Sequence, residues 1–187
     1  QDGTVELLKQ HKIKIIAQQK PGRGIAFQIA AKESKGKYLV FFSPDGNENL
    51  KDITKLVNLL KKGADMAIAS RFEISSRNEE DDNFFKFRAW ANQAFTLIVK
   101  LIWGGNVTDS INGYRAIKKD ALEKMHLDAT GFDVEFQMTI RALKHRMKIA
   151  QIPTIEGNRI GGRSTSSSIP TGLKMLRMII KEILTKN

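Results

Sequence analysis

Lys37 to Asn47 reads KYLVFFSPDGN, an apolar run that breaks at once into a Ser-Pro-Asp-Gly-Asn turn. A run this short and nearly all apolar predicts a central strand buried on both faces, as in a parallel sheet. The turn puts Asp45 and Asn47 just past the carboxyl end of that strand, which is where open α/β sheets bind ligands. Downstream, Leu50, Ile53, Leu56, Val57 and Leu60 recur at helical spacing. Lys61-Lys62-Gly63 closes that helix with cations and a glycine cap. Asp65 to Ser70 (DMAIAS) predicts a second short strand with Arg71 at its end. Upstream, Gly22-Arg23-Gly24 opens a helix carrying Ile25, Ile29 and Ala30 on one side, and Lys12 to Gln18 (KIKIIAQ) reads as another strand. Strand, helix, strand, helix, strand is the order of an α/β layered domain with a parallel sheet.

The second half is less regular. Glu73 to Asn83 (EISSRNEEDDN) is charged, lacks periodic apolar residues and reads as a mobile surface loop. Phe84 to Trp103 has the pattern of a long amphipathic helix, broken by Gly104-Gly105. Asn106 to Ile117 reads as irregular strand and turn, followed by helices over Lys119 to Met125 and Val134 to His145 and a strand over Lys148 to Ile155. A Gly/Ser/Arg-rich loop from Asn158 to Ser168 leads to a basic amphipathic helix over Thr171 to Leu184. The expected division is a catalytic domain over residues 1–168 and a terminal helix over 169–187.

The absence of cysteine excludes disulfides and thiolate metal sites. A formal net charge of +11 on 187 residues implies anionic partners: nucleic acid, an acidic membrane surface or phosphorylated substrates. The two tryptophans and two tyrosines sit in apolar or turn contexts and no nucleic-acid-binding motif occurs, so no nucleic-acid partner is expected. No apolar run approaches the ~20 residues that span a bilayer. In the last helix Leu173, Leu176, Ile180 and Ile183 form an apolar stripe, with Lys174, Arg177 and Lys181 on the polar side. That pattern suits peripheral contact with an anionic membrane and equally a helix packed on the core.

Asp45 and Asn47, two residues apart on a turn, can both face one hard cation such as Mg²⁺, or can simply shape the turn. Arg71 brings a cation to the end of the neighbouring strand. Arg88 and Asn92 share a helix face and can grip a phosphate. Arg159 and Arg163 flank Gly161-Gly162, a loop of donors suited to anions. Gly22, Arg23 and Gly24 could present helix N-terminal N–H groups to a phosphate. Asp109, just before Asn112-Gly113-Tyr114-Arg115, is either a catalytic carboxylate or a group bonded to its own turn.

The order of these segments resembles glycosyltransferase family 2, and within it the dolichol-phosphate mannose synthase-like group. Asp2-Gly3-Thr4 is similar to the tail of D-D-G-S-x-D-G-T, and Pro21-Gly22-Arg23-Gly24-Ile25-Ala26 to the G-K-G-x-A turn. Phe41 to Asn47 falls where D-x-D-x-Q belongs, and Ala69-Ser70-Arg71-Phe72 resembles G-S-R-Y. Arg88-Ala89-Trp90-Ala91-Asn92 resembles R-x-x-x-[SN], Val107 to Arg115 resembles V-x-D-x-x-x-G-[FY]-R, and Arg159 to Ser164 resembles R-x-x-G-x-S. The resemblance implies a GT-A-like, Rossmann-type, mostly parallel sheet flanked by helices, with the family's N-terminal strand lacking. It also implies metal-dependent, inverting transfer from a nucleotide-sugar donor (GDP-mannose or a UDP-sugar) to a polyprenyl phosphate, at the cytoplasmic face of a membrane. By the same resemblance Asp45 and Asn47 hold Mg²⁺ or Mn²⁺, and Gly22 to Gly24 lie beside the nucleotide. Arg71, Arg88 and Arg159 gather at the acceptor phosphate with Asn92, and Ser164 contributes to substrate binding. An ionised phosphate needs no strong base, so Asp109 is expected to organise Arg115. With a saccharide acceptor Asp109 would instead be the base, and a non-catalytic scaffold is the further alternative. Two positions depart from the family pattern: Ser43 stands where D-x-D has its first Asp, and Thr165 where a lysine often follows the R-x-x-G-x-S serine.

Overall fold

The computed structural model describes residues 3–43, 46–78, 87–157 and 168–185. Seven helices and four strands are described: α1 (Thr4–Gln10), α2 (Arg23–Glu33), β1 (Tyr38–Phe41), α3 (Lys51–Lys61), β2 (Met66–Ser70), α4 (Phe87–Trp103), β3 (Arg115–Lys118), α5 (Lys119–Lys124), α6 (Val134–Lys144), β4 (Ile149–Pro153) and α7 (Ser168–Leu184). The sheet order is β1-β3-β2-β4. β1, β2 and β4 run in one direction, and β3 lies antiparallel between β1 and β2, pairing Leu39 with Ile117 and Ala67 with Ala116. The parallel pair is β2 with β4, from Met66 opposite Ile149 to Ser70 opposite Pro153.

Three sequence expectations need correction. Within Lys37–Phe42, Tyr38–Phe41 forms an outer strand of the described sheet and is mostly half-buried, because β3 and not another βα unit fills the centre. The wholly buried strand is β2, whose small residues Ala67 and Ala69 let α3 pack closely through Leu56 and Leu60. Lys12–Gln18 joins no strand; Ile13, Ile15 and Ile16 stay exposed, since an alternating pattern makes a strand only where a neighbour offers backbone partners. Finally, α2 turns Phe27 and Ala31 to the core, with Phe27 stacked 4.0 Å from Phe41, in place of the Ile25, Ile29 and Ala30 row.

Helices α4, α6 and α7 share a second core of Val99, Val134, Phe136, Ile140, Met175, Met178 and Ile179. The inward face of α7 is thus Met175, Met178 and Ile179, while the stripe read from sequence (Leu173, Leu176, Ile180, Ile183) faces outward and is exposed. Glu182, 1% exposed, anchors α7 to α6: it accepts from Arg141 Nε at 2.8 Å, Gln137 Nε2 at 3.0 Å and Lys144 Nζ at 3.3 Å. No described helix is long and apolar enough to cross a membrane.

α2 is seated by its glycines. Gly24 is buried and donates its N–H to Thr130 O at 3.1 Å, and a Cβ added there would overlap the backbone of Ala129. Gly24→Ala is expected to lower stability by ~1–3 kcal/mol, as forced overpacking does. Urea unfolding measures it, and an unchanged midpoint would show that α2 can lift away freely.

Candidate active site

The carboxyl ends of β1, β2 and β4 converge with the segment that precedes β3. Thr154 N donates to Ser70 O at 3.0 Å, Ala69 N donates to Tyr114 O at 3.0 Å, and Gly157 N donates to Asn47 O at 2.8 Å. Tyr114 is buried and its hydroxyl donates to Asn49 O at 2.8 Å, tying the turn after β1 to the start of β3. Thr154 Oγ1 donates to the buried Asp52 at 2.8 Å, which fixes the exit of β4 against α3.

At the centre is the pair Arg71–Asp109. Arg71 Nε and Nη2 donate to the two carboxylate oxygens at 2.8 and 3.1 Å, and Arg71 N donates at 3.2 Å. Ile111 N and Asn112 N add bonds at 3.3 and 3.0 Å. Asp109 has no exposed surface. Burial alone would raise its pKa, but the Arg71 guanidinium and the N–H donors outweigh it and hold the carboxyl below its ordinary range. A carboxylate so enclosed is a poor proton acceptor and a good positioning group. It organises Arg71 and the 111–112 turn; Arg115, its expected client, donates instead to Asn112 O, Glu135 O and Thr139 Oγ1. Burial pushes Arg115 down to about 10 against the pull of Glu135 and Asp109, leaving it cationic at neutral pH.

Asn47 is 6% exposed. Its Nδ2 donates to Glu156 Oε1 at 3.3 Å, and its Oδ1 is buried with no hydrogen-bond partner. Buried acceptors are nearly always satisfied, so an orphaned amide oxygen fits a cation better than a packing role. Glu156 Oε2 lies 3.9 Å from Arg71 Nη1, and Glu48 Oε2 accepts from Ser43 N at 2.7 Å. Hard oxygen donors of this kind suit Mg²⁺ or Mn²⁺. No group of three His, Asp or Glu side chains with metal-binding geometry occurs among the described residues. Asp45 lies outside them.

The Gly22–Gly24 turn has a structural role in the described fold. Gly24 N–H is engaged by Thr130 O and both glycines press on residues 129–130, so the turn is a docking point for α2. Arg23 is ion-paired with the buried Glu135 and lies over the Phe27 ring at 5.2 Å, with part of its side chain exposed. Arg88 stands exposed in the first turn of α4, with Asn92 half-buried one turn on. Arg159, Arg163 and Ser164 fall outside the described residues, so the expected convergence of Arg71, Arg88 and Arg159 is not described. The stretch expected to be mobile begins anchored. Arg77 N donates to Thr154 O at 3.0 Å, Ser76 Oγ to Ser70 O at 2.7 Å, and Glu73 Oε1 accepts from Thr108 Oγ1 at 3.0 Å. Its polar residues serve as anchors that a search for apolar periodicity passes over; positions 79–83 lie outside the described residues.

Sequence reasoning missed Glu156 and Glu135. Glu156 carried one usable signal, a carboxylate just beyond the carboxyl end of a strand. Glu135 carried none, because an acid in the first turn of a helix is commonplace.

Comparison with known proteins bears on this arrangement. Glycosyltransferase AglJ of Haloferax volcanii is 26% identical over 88% of the chain and 54% of its own length. The dolichol-phosphate mannosyltransferase of Pyrococcus furiosus is 25% identical over 85% of the chain and 45% of its own length. The chain thus spans about half the length of these curated relatives. Glucosyl-3-phosphoglycerate synthase from Mycobacterium tuberculosis, solved in complex with Mn²⁺ and UDP-glucose, superposes with a TM-score of 0.66 at 20% identity, over 98% of the chain and 63% of that protein. This likeness establishes an α/β fold of the GT-A type. The model of glycosyl transferase family 2 matches residues 1–125, two thirds of the chain, and the protein belongs to that family.

Proposed function

We propose that this protein transfers a sugar, with inversion, from a nucleotide-sugar donor such as GDP-mannose or a UDP-sugar to a polyprenyl phosphate. The observation that carries this reading is Asp109. A sugar hydroxyl acceptor needs a base, and the carboxylate best placed to be one is sealed and neutralised by Arg71. A phosphate acceptor arrives ionised and needs only positioning and charge neutralisation. In this reading Asp45 and Asn47 would hold Mg²⁺ or Mn²⁺, which would supply charge neutralisation for a departing diphosphate; the orphaned Asn47 Oδ1 supports the assignment. Arg71 gives Nε and Nη2 to Asp109, and Nη1, 3.9 Å from Glu156 Oε2, is the nitrogen that would meet a phosphate. Arg88, Asn92, Arg159 and Ser164 serve the acceptor phosphate, and Arg23 lies nearest the nucleotide. The relatives named for dolichol phosphate support the acceptor class.

The outward faces of α4 and α7 support a membrane-associated acceptor. Phe87, Trp90, Leu97 and Leu101 on α4, and Leu173, Leu176, Ile180 and Ile183 on α7, are all exposed. Lys174, Arg177 and Lys181 stand among them on α7. Apolar rows mixed with cations suit the cytoplasmic face of an anionic bilayer.

The test is a donor screen with Mg²⁺ or Mn²⁺, with and without polyprenyl phosphate. Turnover is expected with polyprenyl phosphate and is expected to stop on chelation. Transfer to free saccharides but not to the lipid phosphate would overturn the acceptor assignment, and donor binding without turnover would make the protein a non-catalytic scaffold.

A further inference from the structure

We propose that Glu156 is a carboxylate ligand of the divalent cation, supplying the acid that Ser43 does not. The inference rests on the metal reading above. Three observations carry it. Asn47 is more than nine-tenths buried, yet its Oδ1 has no donor, so the oxygen is held out of water with its acceptor capacity unused. The group beside that amide is the Glu156 carboxylate, 3.3 Å from Nδ2. The two residues are locked in register, since Gly157 N donates to Asn47 O at 2.8 Å and the Glu156 side chain is only 15% exposed.

The electrostatics agree. Arg71 Nη1 lies 3.9 Å from Glu156, while Nε and Nη2 are given to Asp109 at 2.8 and 3.1 Å. A carboxylate and an amide oxygen from the loops after β1 and β4 present two hard donors side by side, as Mg²⁺ and Mn²⁺ favour.

The test reads metal binding directly, by titrating Mn²⁺ into the protein with UDP present and following free Mn²⁺ by electron paramagnetic resonance. Glu156→Gln keeps the size and hydrogen bonding but removes the charge, and is expected to raise the Kd for Mn²⁺ by ~10–100-fold. Ser43→Asp added to Glu156→Gln is expected to restore most of that affinity. Glu156→Asp, which keeps the charge but withdraws the oxygens, is expected to weaken Mn²⁺ as well and serves if the glutamine variant does not fold. Wild-type affinity in these variants, or no rescue by Ser43→Asp, would overturn the proposal and leave Glu156 a positioning residue. Asp45→Ala separates the two readings. If it abolishes Mn²⁺ binding while Glu156→Gln does not, only this inference fails; if it too binds normally, the metal reading itself is wrong.

Discussion

Asp109→Asn is expected to cost ~3–5 kcal/mol of folding stability, the effect of leaving a buried charge without its partner. The amide cannot match the Arg71 guanidinium, and one of its two oxygens becomes a donor facing other donors. Urea unfolding at neutral pH reads the change, and a loss below ~1 kcal/mol would mean that Arg71 finds another partner. Arg71→Met added to Asp109→Asn should recover part of the loss, because replacing both members of a buried pair costs less than removing one. The pH dependence has a definite sign. Asp109 has a folded pKa depressed below its unfolded value, so its contribution is fully present above about pH 4 and is lost as pH falls through the folded value. The acid limb of the stability profile should flatten in Asp109→Asn and remain steep in the wild type.

Arg88→Ala is expected to lower kcat with polyprenyl phosphate by ~10²–10³-fold, the range for losing one charge-stabilising donor. The Kd for the sugar nucleotide should change little. The reasoning is positional. Arg88 is exposed in the first turn of a 17-residue helix, where the aligned peptide dipoles already favour an anion, and Asn92 lies one turn further along. Arg88 is exposed, and a urea midpoint measured alongside the kinetics separates a kinetic loss from a folding loss. Equal losses in donor affinity and kcat would place Arg88 at the donor instead.

The legible part of the fold was what local pattern controls. The α3 helix and β2 strand follow from spacing and composition, and so do the strand-end positions of Asn47 and Arg71. Sheet order was not legible, because β3 is four residues long, contains a fully buried arginine and carries no alternation. Its place between β1 and β2 comes from Arg115 reaching Asn112 O and Glu135 O, contacts 3 and 20 residues away that no window of apolar periodicity registers. Arg71 and Asp109 were each singled out, but their pairing spans 38 residues and depends on that same insertion. Ile13, Ile15 and Ile16 show the converse: a strand-like pattern stays a coil when no backbone partner comes alongside.

The acid that pins α7 to α6 has a mechanical consequence. Glu182 joins the last helix rigidly to Arg141, Gln137 and Lys144, and two turns earlier α6 presents Glu135 to Arg23 and its backbone carbonyl to Arg115. One stiff rod therefore runs from the outward apolar row of α7 to the floor beneath the strand ends. If α7 rests on a surface as proposed, that surface would set the standoff height and tilt of the strand ends without a joint between, and the proposed lipid phosphate would be met at a fixed depth.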